Sequence, residues 1–515
     1  MNNKLFKKIM DIPIIKKITD VQFVRKIFLF FIMIQSLLDF HILFNEDYIF
    51  IFGFAIPTLV RLLIICYCTF LFIILENDKK ELKFIFIYGA IVFVYTVLHC
   101  IVDFFTNHSL PSYWHFAIFQ EAFYILRMML PIFVGYIVYK LKISKKEFKT
   151  VISFLTLSVS VTIILSNLLK ISLVAYTYEA SSVIKENFLA WFTNDLNGYH
   201  AKEIASLGFF HTANQISGLL FVLLPLNLYF YFSEKNFNQL AVVELQILSM
   251  MILGTRTGVI SWILILVAMT IIYLFFVFIK KELDFDKNKL IVLGIVTAVM
   301  GIIFYRCPIV NNYESGTIST IKKSELSGIE QYARLAGKSV DELTTFERLP
   351  YVNIDPLYYK NIYLYEEFPE FWDKAVNMDA SKRVGNRKME LLITNDINKN
   401  NGNILTYLVG LSYTGYTSIG LYIERDIIVH YFTIGILGMI LLLGPYFAVI
   451  GYILVKILRD YKNNFNFSNI SLLLAISTVM MLSLLSGHLL DELTVSIIIG
   501  FITGYLFQNN YTTIN

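Results

Sequence analysis

The sequence predicts an all-α polytopic membrane protein with about twelve transmembrane helices and one large external loop. Of its 515 residues, 57% are hydrophobic and 16% are charged, whereas an average soluble domain carries about 25% charged residues. Apolar segments of about 20 residues, long enough to cross the hydrocarbon core of a bilayer, recur along the whole chain. Alternate connections between these segments are rich in lysine, which is the asymmetry that orients membrane helices.

Twelve apolar segments are the predicted spans. They lie near residues 26–45, 54–75, 84–105, 122–140, 151–173, 208–232, 238–253, 257–280, 289–306, 428–456, 470–488 and 492–508. The chain is thereby divided into nine spans in residues 1–306, a loop domain in 307–427 and three spans in 428–515. Tyr358, Tyr359, Tyr363, Tyr365 and Trp372 of the loop are expected to pack inside it, and stacking on sugar rings is the alternative.

The positive charges predict the orientation of the spans. The N-terminal stretch, the 76–83 turn and the 140–149 connection are basic, and so are the later connections that alternate with them. The short connections between these are almost free of lysine and arginine, as in 106–121. By the positive-inside rule, both termini lie in the cytoplasm and the 307–427 loop lies outside.

A group of polar and charged residues falls at the outer ends of the predicted spans. A charge at the centre of a membrane helix costs roughly 2.5–3.5 kcal/mol, so each such residue needs an explanation. The group comprises Asp39, His41, Arg61, His99, Asp103, Arg127, His211, Asn214, Arg256, Arg306, His488 and Asp491. Each alone could extend its charge to water. Together the arginines suit a lipid diphosphate in the outer leaflet, because a guanidinium binds phosphate oxygens in pairs and keeps its charge.

The sequence shows no signature of a cofactor. No Walker sequence or dinucleotide fingerprint occurs in a cytoplasmic connection, and the four cysteines form no CxxC pair or Cys/His cluster. We therefore expect neither a metal nor a cofactor, no nucleic-acid partner, and chemistry at the outer face without ATP.

Four stretches of the sequence have the character of motifs: GFFHTANQISGLL (208–220), GTRTGVISWILIL (254–266), VGNRKMELL (384–392) followed by LVGLSYTG (408–415), and ERDIIVHYFTIGILGMILLL (424–443). They resemble the motifs of the O-antigen ligase and O-antigen polymerase family of bacterial membrane glycosyltransferases. Their order, their spacing and the single large external loop also agree. Two departures are that Glu424 stands where many members carry histidine, and that Gly-Asn-Arg replaces Ser-Gly-Arg around Arg387.

The resemblance implies a GT-C-like architecture and an enzyme of the bacterial cytoplasmic membrane whose site faces outward. Its substrates would be a glycan linked to undecaprenyl diphosphate and an acceptor hydroxyl, with membrane lipid around them. The implied diphosphate ligands are Arg256, Arg387 and Arg127, with Asn214, His211 and His488 as further substrate contacts, and Arg256 would also stabilise the leaving group. Glu424 would be the general base, with Asp426 as the second candidate and an ion pair to Arg425 or Arg387 as the alternative for Glu424.

The finer function stays open between alternatives. Glu424 in place of histidine favours a polymerase of capsule or O-antigen-type repeat units over a ligase that moves a finished polymer. A chain-length regulator is a partner expected from the family. A flippase or other transporter of lipid-linked oligosaccharide also needs arginines, but it is expected to have related halves and charges at mid-membrane depth. A scaffold or sensor has no need of the arginines.

Overall fold

A computed structural model describes residues 19–44, 50–51, 54–105, 110–175, 182–193, 204–234, 238–307, 318–401, 403–423, 425–485, 487 and 489–511. Helices make up most of this part of the chain. The first ten are α1 (Val21–Met33), α2 (Ile56–Leu75), α3 (Lys79–Phe105), α4 (Ile118–Leu141), α5 (Lys145–Leu168), α6 (Ala190–Thr193), α7 (Ala213–Ser233), α8 (Asn238–Leu253), α9 (Arg256–Phe278) and α10 (Lys287–Arg306).

The next seven helices lie within residues 318–418. They are α11 (Ile318–Ala336), α12 (Thr345–Arg348), α13 (Pro369–Asn377), α14 (Ala380–Arg383), α15 (Asn386–Asn401), α16 (Ile404–Val409) and α17 (Tyr413–Ser418). The last five are α18 (Asp426–Leu442), α19 (Gly444–Arg459), α20 (Tyr461–Asn464), α21 (Phe467–Leu485) and α22 (Leu493–Tyr511).

A few short elements complete the secondary structure of the described residues. Strand β1 (Phe50–Ile51) pairs with β2 (Phe54–Ala55), and β3 (Leu173–Val174) pairs with β4 (Ser206–Gly208), both antiparallel. Single 3₁₀ turns occupy Leu37–Asp39, His41–Phe44, Val340–Glu342 and Leu349–Tyr351, and a π-turn occupies Tyr358–Ile362.

The helices agree with a multi-pass membrane protein. Within the described ranges, eight helices are long and apolar enough to cross a membrane, and α18 with α19, which meet at 40°, make a ninth as one bent span. The remaining predicted spans coincide with α1 and α8, which are shorter, and with α22, whose last turns contain Gln508 and Asn510. The number twelve therefore stays a prediction.

The predicted limits of the first span are wrong. Helix α1 ends at Met33, and the chain continues as two 3₁₀ turns instead of a helix to residue 45. The polar side chains of Gln35, Ser36 and Asp39 lie in this stretch and are fully buried. Short polar side chains form local hydrogen bonds that compete with the regular helix, and here Gln35 Nε2 donates to Phe31 O at 3.0 Å.

Contacts divide the chain into two compact units. The first comprises Met1–Lys83, Arg127–Tyr313 and Pro445–Asn515, and the second comprises Phe84–Leu126 and Glu314–Gly444. Most of the predicted 307–427 loop therefore belongs to the second unit, together with the whole predicted 84–105 span and parts of the predicted 122–140 and 428–456 spans. The side of the membrane on which this loop lies remains a prediction.

Helix α7 is the centre of the first unit. Almost all of its residues are buried, as expected for a helix that is apolar on every side, and it packs against α5, α8, α9, α21 and α22. Asn227 of α7 donates to Thr156 Oγ1 and Gln246 Oε1, both at 2.8 Å, and accepts from Gln239 Nε2 at 2.9 Å. Such buried polar contacts hold helices together where apolar contact alone gives little selectivity.

An aromatic cluster is the core of the second unit. Tyr358, Tyr359, Tyr363 and Trp372 are buried there, and Tyr365 packs against them partly buried. Trp372 Nε1 donates to Tyr363 O at 2.7 Å, so the indole is satisfied inside the protein. The prediction that these rings pack within the domain is confirmed for the four buried ones.

Candidate functional site

The first two sequence motifs contact each other in the first unit. Ser217 Oγ of the 208–220 motif lies 2.6 Å from Thr255 Oγ1 of the 254–266 motif, and both side chains are buried. Thr255 caps helix α9 by accepting from Gly258 N at 3.1 Å. Arg256 is therefore the first residue of a 23-residue helix, at the end where the backbone dipole favours an anion. The Arg256 side chain lies outside the described part of the structure.

Arg127 is held by a carboxylate. Its Nη2 lies 2.7 Å from Asp491 Oδ1, and the two side chains are 23% and 15% exposed, so the pair is partly shielded from water. Arg127 lies in α4 and Asp491 lies two residues before α22, and these two helices come close together. A Cβ added to Gly500 would lie 2.2 Å from Pro131 O, and one on Gly504 would lie 2.6 Å from Gly135 O. Small residues at such a crossing allow two helix backbones to meet.

Arg61 and Asp39 form a buried ion pair in the same unit. Arg61 Nη2 lies 2.7 Å from Asp39 Oδ1 and 2.5 Å from Thr494 Oγ1, and Arg61 Nε donates to Gln35 Oε1 at 2.9 Å. Thr494 also bonds to the second oxygen of Asp39. Arg61 and Asp39 are 2% and 0% exposed. This arginine therefore joins three segments of the chain, and the sequence did not reveal Gln35 and Thr494 as its partners.

His211 and Asn214 lie where the chain enters α7. His211 is exposed, its backbone N–H donates to Asp39 O at 2.8 Å, and its ring stacks on Phe44 with centroids 4.4 Å apart. His211 Nδ1 lies 3.3 Å from His41 Nδ1. Asn214 is half-buried in the first turn of α7. The structure thus places His211 beside the segment that holds the Arg61–Asp39 pair.

The last two motif stretches meet in the second unit. Leu411 N donates to Phe432 O at 2.8 Å, and Gly410 lies against the kink that Gly435 makes inside α18. Gly435 has φ 64° and ψ −177°, a conformation essentially limited to glycine. Tyr95 Oη donates at 2.6 Å to Ile434 O, a carbonyl next to the kink.

Glu121 is a buried carboxylate that sequence reasoning did not select. It is fully buried and receives a ring of hydrogen bonds. The donors are His99 Nε2 at 2.9 Å, Tyr413 N and Thr414 N at 2.9 Å, Thr414 Oγ1 at 2.8 Å and Ser412 Oγ at 3.2 Å. His99 Nδ1 lies 2.7 Å from Val409 O, so each ring nitrogen of His99 has a hydrogen-bond partner inside the protein. The only sequence signal was a charge next to the start of the predicted 122–140 span.

The remaining predicted site residues divide between described and undescribed positions. Asp426 is 1% exposed and begins α18, whereas Arg387 is exposed in the first turn of α15. Both belong to the second unit. Glu424 and His488 lie outside the residues that the structure describes.

Comparison with known protein families gives a match over most of the chain. The family model described as "O-antigen ligase like membrane protein" matches residues 21–511. This range includes all four motif stretches and nearly the whole chain. No curated protein matches the chain significantly.

Proposed function

The chain belongs to the family of O-antigen ligase-like membrane proteins, and from this premise we propose that it is a polymerase of surface-polysaccharide repeat units. The family places it among multi-pass membrane enzymes of the glycosyltransferase type, which act on lipid-linked glycans in polysaccharide assembly. The proposed donor is a glycan on undecaprenyl diphosphate, and the proposed acceptor is a sugar hydroxyl at the outer face of the cytoplasmic membrane.

The observation that carries the proposal is the contact between the first two motifs. The Ser217–Thr255 hydrogen bond and the Thr255 cap fix the point at which α9 begins, and Arg256 is the first residue there. A long helix presents unpaired backbone N–H groups and positive potential at its N-terminus, which suits phosphate oxygens. An arginine at that position adds a full charge that favours the departing diphosphate in the transition state.

The reaction follows from the proposed roles. The acceptor hydroxyl attacks the anomeric carbon of the donor glycan, and the bond from that carbon to the diphosphate oxygen breaks. Undecaprenyl diphosphate leaves with the bonding electrons, stabilised by Arg256 and assisted by Arg387 and Arg127. The hydroxyl proton passes to Glu424 or, as second candidate, to Asp426. Asp426 is buried at the start of α18, and as a general base it would have to lie within hydrogen-bond reach of the attacking hydroxyl.

Exchanging the charges of Arg127 and Asp491 tests whether Arg127 only supports the fold or also binds the substrate. Asp491→Ala is expected to lower the amount of folded protein, because Arg127 loses the carboxylate at 2.7 Å. Arg127→Asp combined with Asp491→Arg restores the pair and therefore the folded amount, as measured by size-exclusion chromatography in detergent. Activity is expected to stay low in this double variant, because the guanidinium no longer projects from α4. Full activity in the exchanged variant would limit Arg127 to a structural role.

The lipid-linked glycans of a host lacking this chain test the proposal. Single repeat units on lipid diphosphate at the outer face are expected in the deletion strain, and the wild-type chain restores long polymer. Long polymer stranded on the lipid would instead identify a ligase. Repeat units trapped at the cytoplasmic face would identify a flippase and contradict the proposed enzyme.

A further inference from the structure

A cleft in the second unit is separate from every residue assigned so far. It has a volume of about 670 Å³ and is lined by residues that include Ser112, Glu367, Phe371, Lys374 and Asn400. That volume is within the range of about 300–1,000 Å³ found for small-molecule sites. The cleft is therefore large enough to hold a bound organic ligand.

The charges of the cleft exclude the diphosphate. Glu367, Glu370 and Asp396 line it, and Lys374 is the cation among the lining residues. Three carboxylates against one ammonium make the local field negative, which repels phosphate and carboxylate ligands. The chemistry of the cleft is thus opposite to that proposed for Arg256, and the two cannot serve the same part of a substrate.

The carboxylates are held in place before any ligand binds. Asp396 Oδ2 accepts from Tyr363 Oη at 2.7 Å and from Asn400 Nδ2 at 3.0 Å. Glu367 accepts from Ser112 N at 3.0 Å and from Ser112 Oγ at 2.5 Å. Side chains that are already ordered lose little entropy when they bind a ligand. Each carboxylate also has more lone-pair sites than these bonds use, so it can accept further hydroxyl donors.

An aromatic wall supports this polar edge. Tyr363 is fully buried and stacks on Phe368 with ring centroids 3.8 Å apart, and Phe371 meets Tyr363 edge-on at 5.1 Å. Burial and the adjacent Asp396 carboxylate raise the pKa of Tyr363, so its hydroxyl stays a hydrogen-bond donor. Phe368 and Phe371 are half-buried and both line the cleft. The cleft therefore combines apolar ring surface with fixed carboxylate and amide groups.

We infer that this cleft binds the acceptor glycan through sugars that are neutral or carry an amino group. Fixed carboxylate and amide oxygens accept from sugar hydroxyls, and the phenylalanine rings cover the apolar C–H face of a pyranose. A uronic acid is disfavoured by the carboxylates. That the ligand is a saccharide follows from the cleft, whereas its role as acceptor rests on the proposed function.

Saccharide binding to the full-length protein in lipid nanodiscs tests this assignment. The probe is a set of oligosaccharides released by mild acid from the surface polysaccharide of the host, which carry no diphosphate. Saturation-transfer NMR is expected to detect binding to the wild type in the presence of EDTA. Glu370→Gln removes one charged acceptor at an exposed position, and its expected effect is about a tenfold loss of affinity. Asp396→Asn provides a second, independent variant.

The matched control is Asp373→Asn, an exposed carboxylate on the same helix α13 that does not line the cleft. It is expected to bind the oligosaccharides as the wild type does. Glucosamine is expected to bind more tightly than glucuronic acid to the wild type. Wild-type affinity in both cleft variants, equal loss in the control, or preference for glucuronic acid would each overturn the inference.

A further variant separates this inference from the proposed function. Arg256→Ala is expected to retain oligosaccharide binding while losing polymer formation, since the two sites recognise different groups. If oligosaccharide binding depends on Glu370 but deletion of the chain leaves polymer assembly intact, the saccharide site stands and the polymerase assignment is wrong. If the protein is an active polymerase but binds no oligosaccharide, the polymerase assignment stands and the saccharide site is wrong.

Discussion

Replacing Gly435 with alanine is expected to remove most of the folded protein from the membrane. The φ of 64° and ψ of −177° at this residue belong to a region that only glycine readily occupies, and forcing another residue into it costs about 1–3 kcal/mol. The added Cβ would also lie 2.3 Å from Gly410 N and 2.6 Å from Leu408 O. These backbone atoms cannot move without separating the two motif stretches.

The matched control is Gly451→Ala in α19, where nothing lies within 4 Å of the added Cβ. Folded amount is measured by fluorescence-detected size exclusion of a tagged chain, together with the melting temperature in detergent. Gly451→Ala is expected to match the wild type. Wild-type amounts of Gly435→Ala with an unchanged melting temperature would show that the kink is not required.

The second large effect is expected for Arg61→Ala. The substitution leaves the fully buried Asp39 carboxylate without its cation, and breaking one side of a buried pair costs about 3–5 kcal/mol. Such a loss is comparable with the whole stability of many proteins. The variant is therefore expected to melt well below the wild type and to accumulate poorly.

A double variant shows whether the unpaired charge of Asp39 causes the loss of stability in Arg61→Ala. Arg61→Met combined with Asp39→Asn removes both charges, so it is expected to recover much of the stability lost in Arg61→Ala. Arg306→Ala, at an exposed helix end, controls for the loss of an arginine as such. If Arg61→Ala were as stable as Arg306→Ala, the buried pair would have no structural role.

The helices were predictable because hydropathy acts locally. Every predicted span except 26–45 coincides with a helix or with the bent α18–α19 pair, since a run of apolar residues long enough for a membrane has few alternatives to a helix. The exception at 26–45 arises from Gln35, Ser36 and Asp39. Their effect depends on partners such as Arg61 and Thr494, which no local pattern identifies.

The motifs of the candidate site could be predicted from the sequence, but the contacts between them could not. The sequence singled out the 254–266 and 408–415 stretches, but not that Ser217 bonds to Thr255 or that Gly410 meets Gly435. Glu121 was not selected from the sequence, because its backbone donors come from residues about 290 positions later. The acidic cleft was likewise invisible, since Ser112 and Glu367 are 255 residues apart in sequence.

The most direct test of the central claim is the turnover of purified lipid-linked repeat units by the reconstituted protein. Wild type, Arg256→Lys and Arg256→Ala are compared at equal amounts of monodisperse protein, and release of undecaprenyl diphosphate is measured with polymer length. Loss of one group that stabilises developing charge typically slows an enzyme about a hundredfold or more, and this is the loss expected for Arg256→Ala, with partial activity in Arg256→Lys. Turnover of Arg256→Ala at the wild-type rate would contradict the proposed diphosphate site at the start of α9.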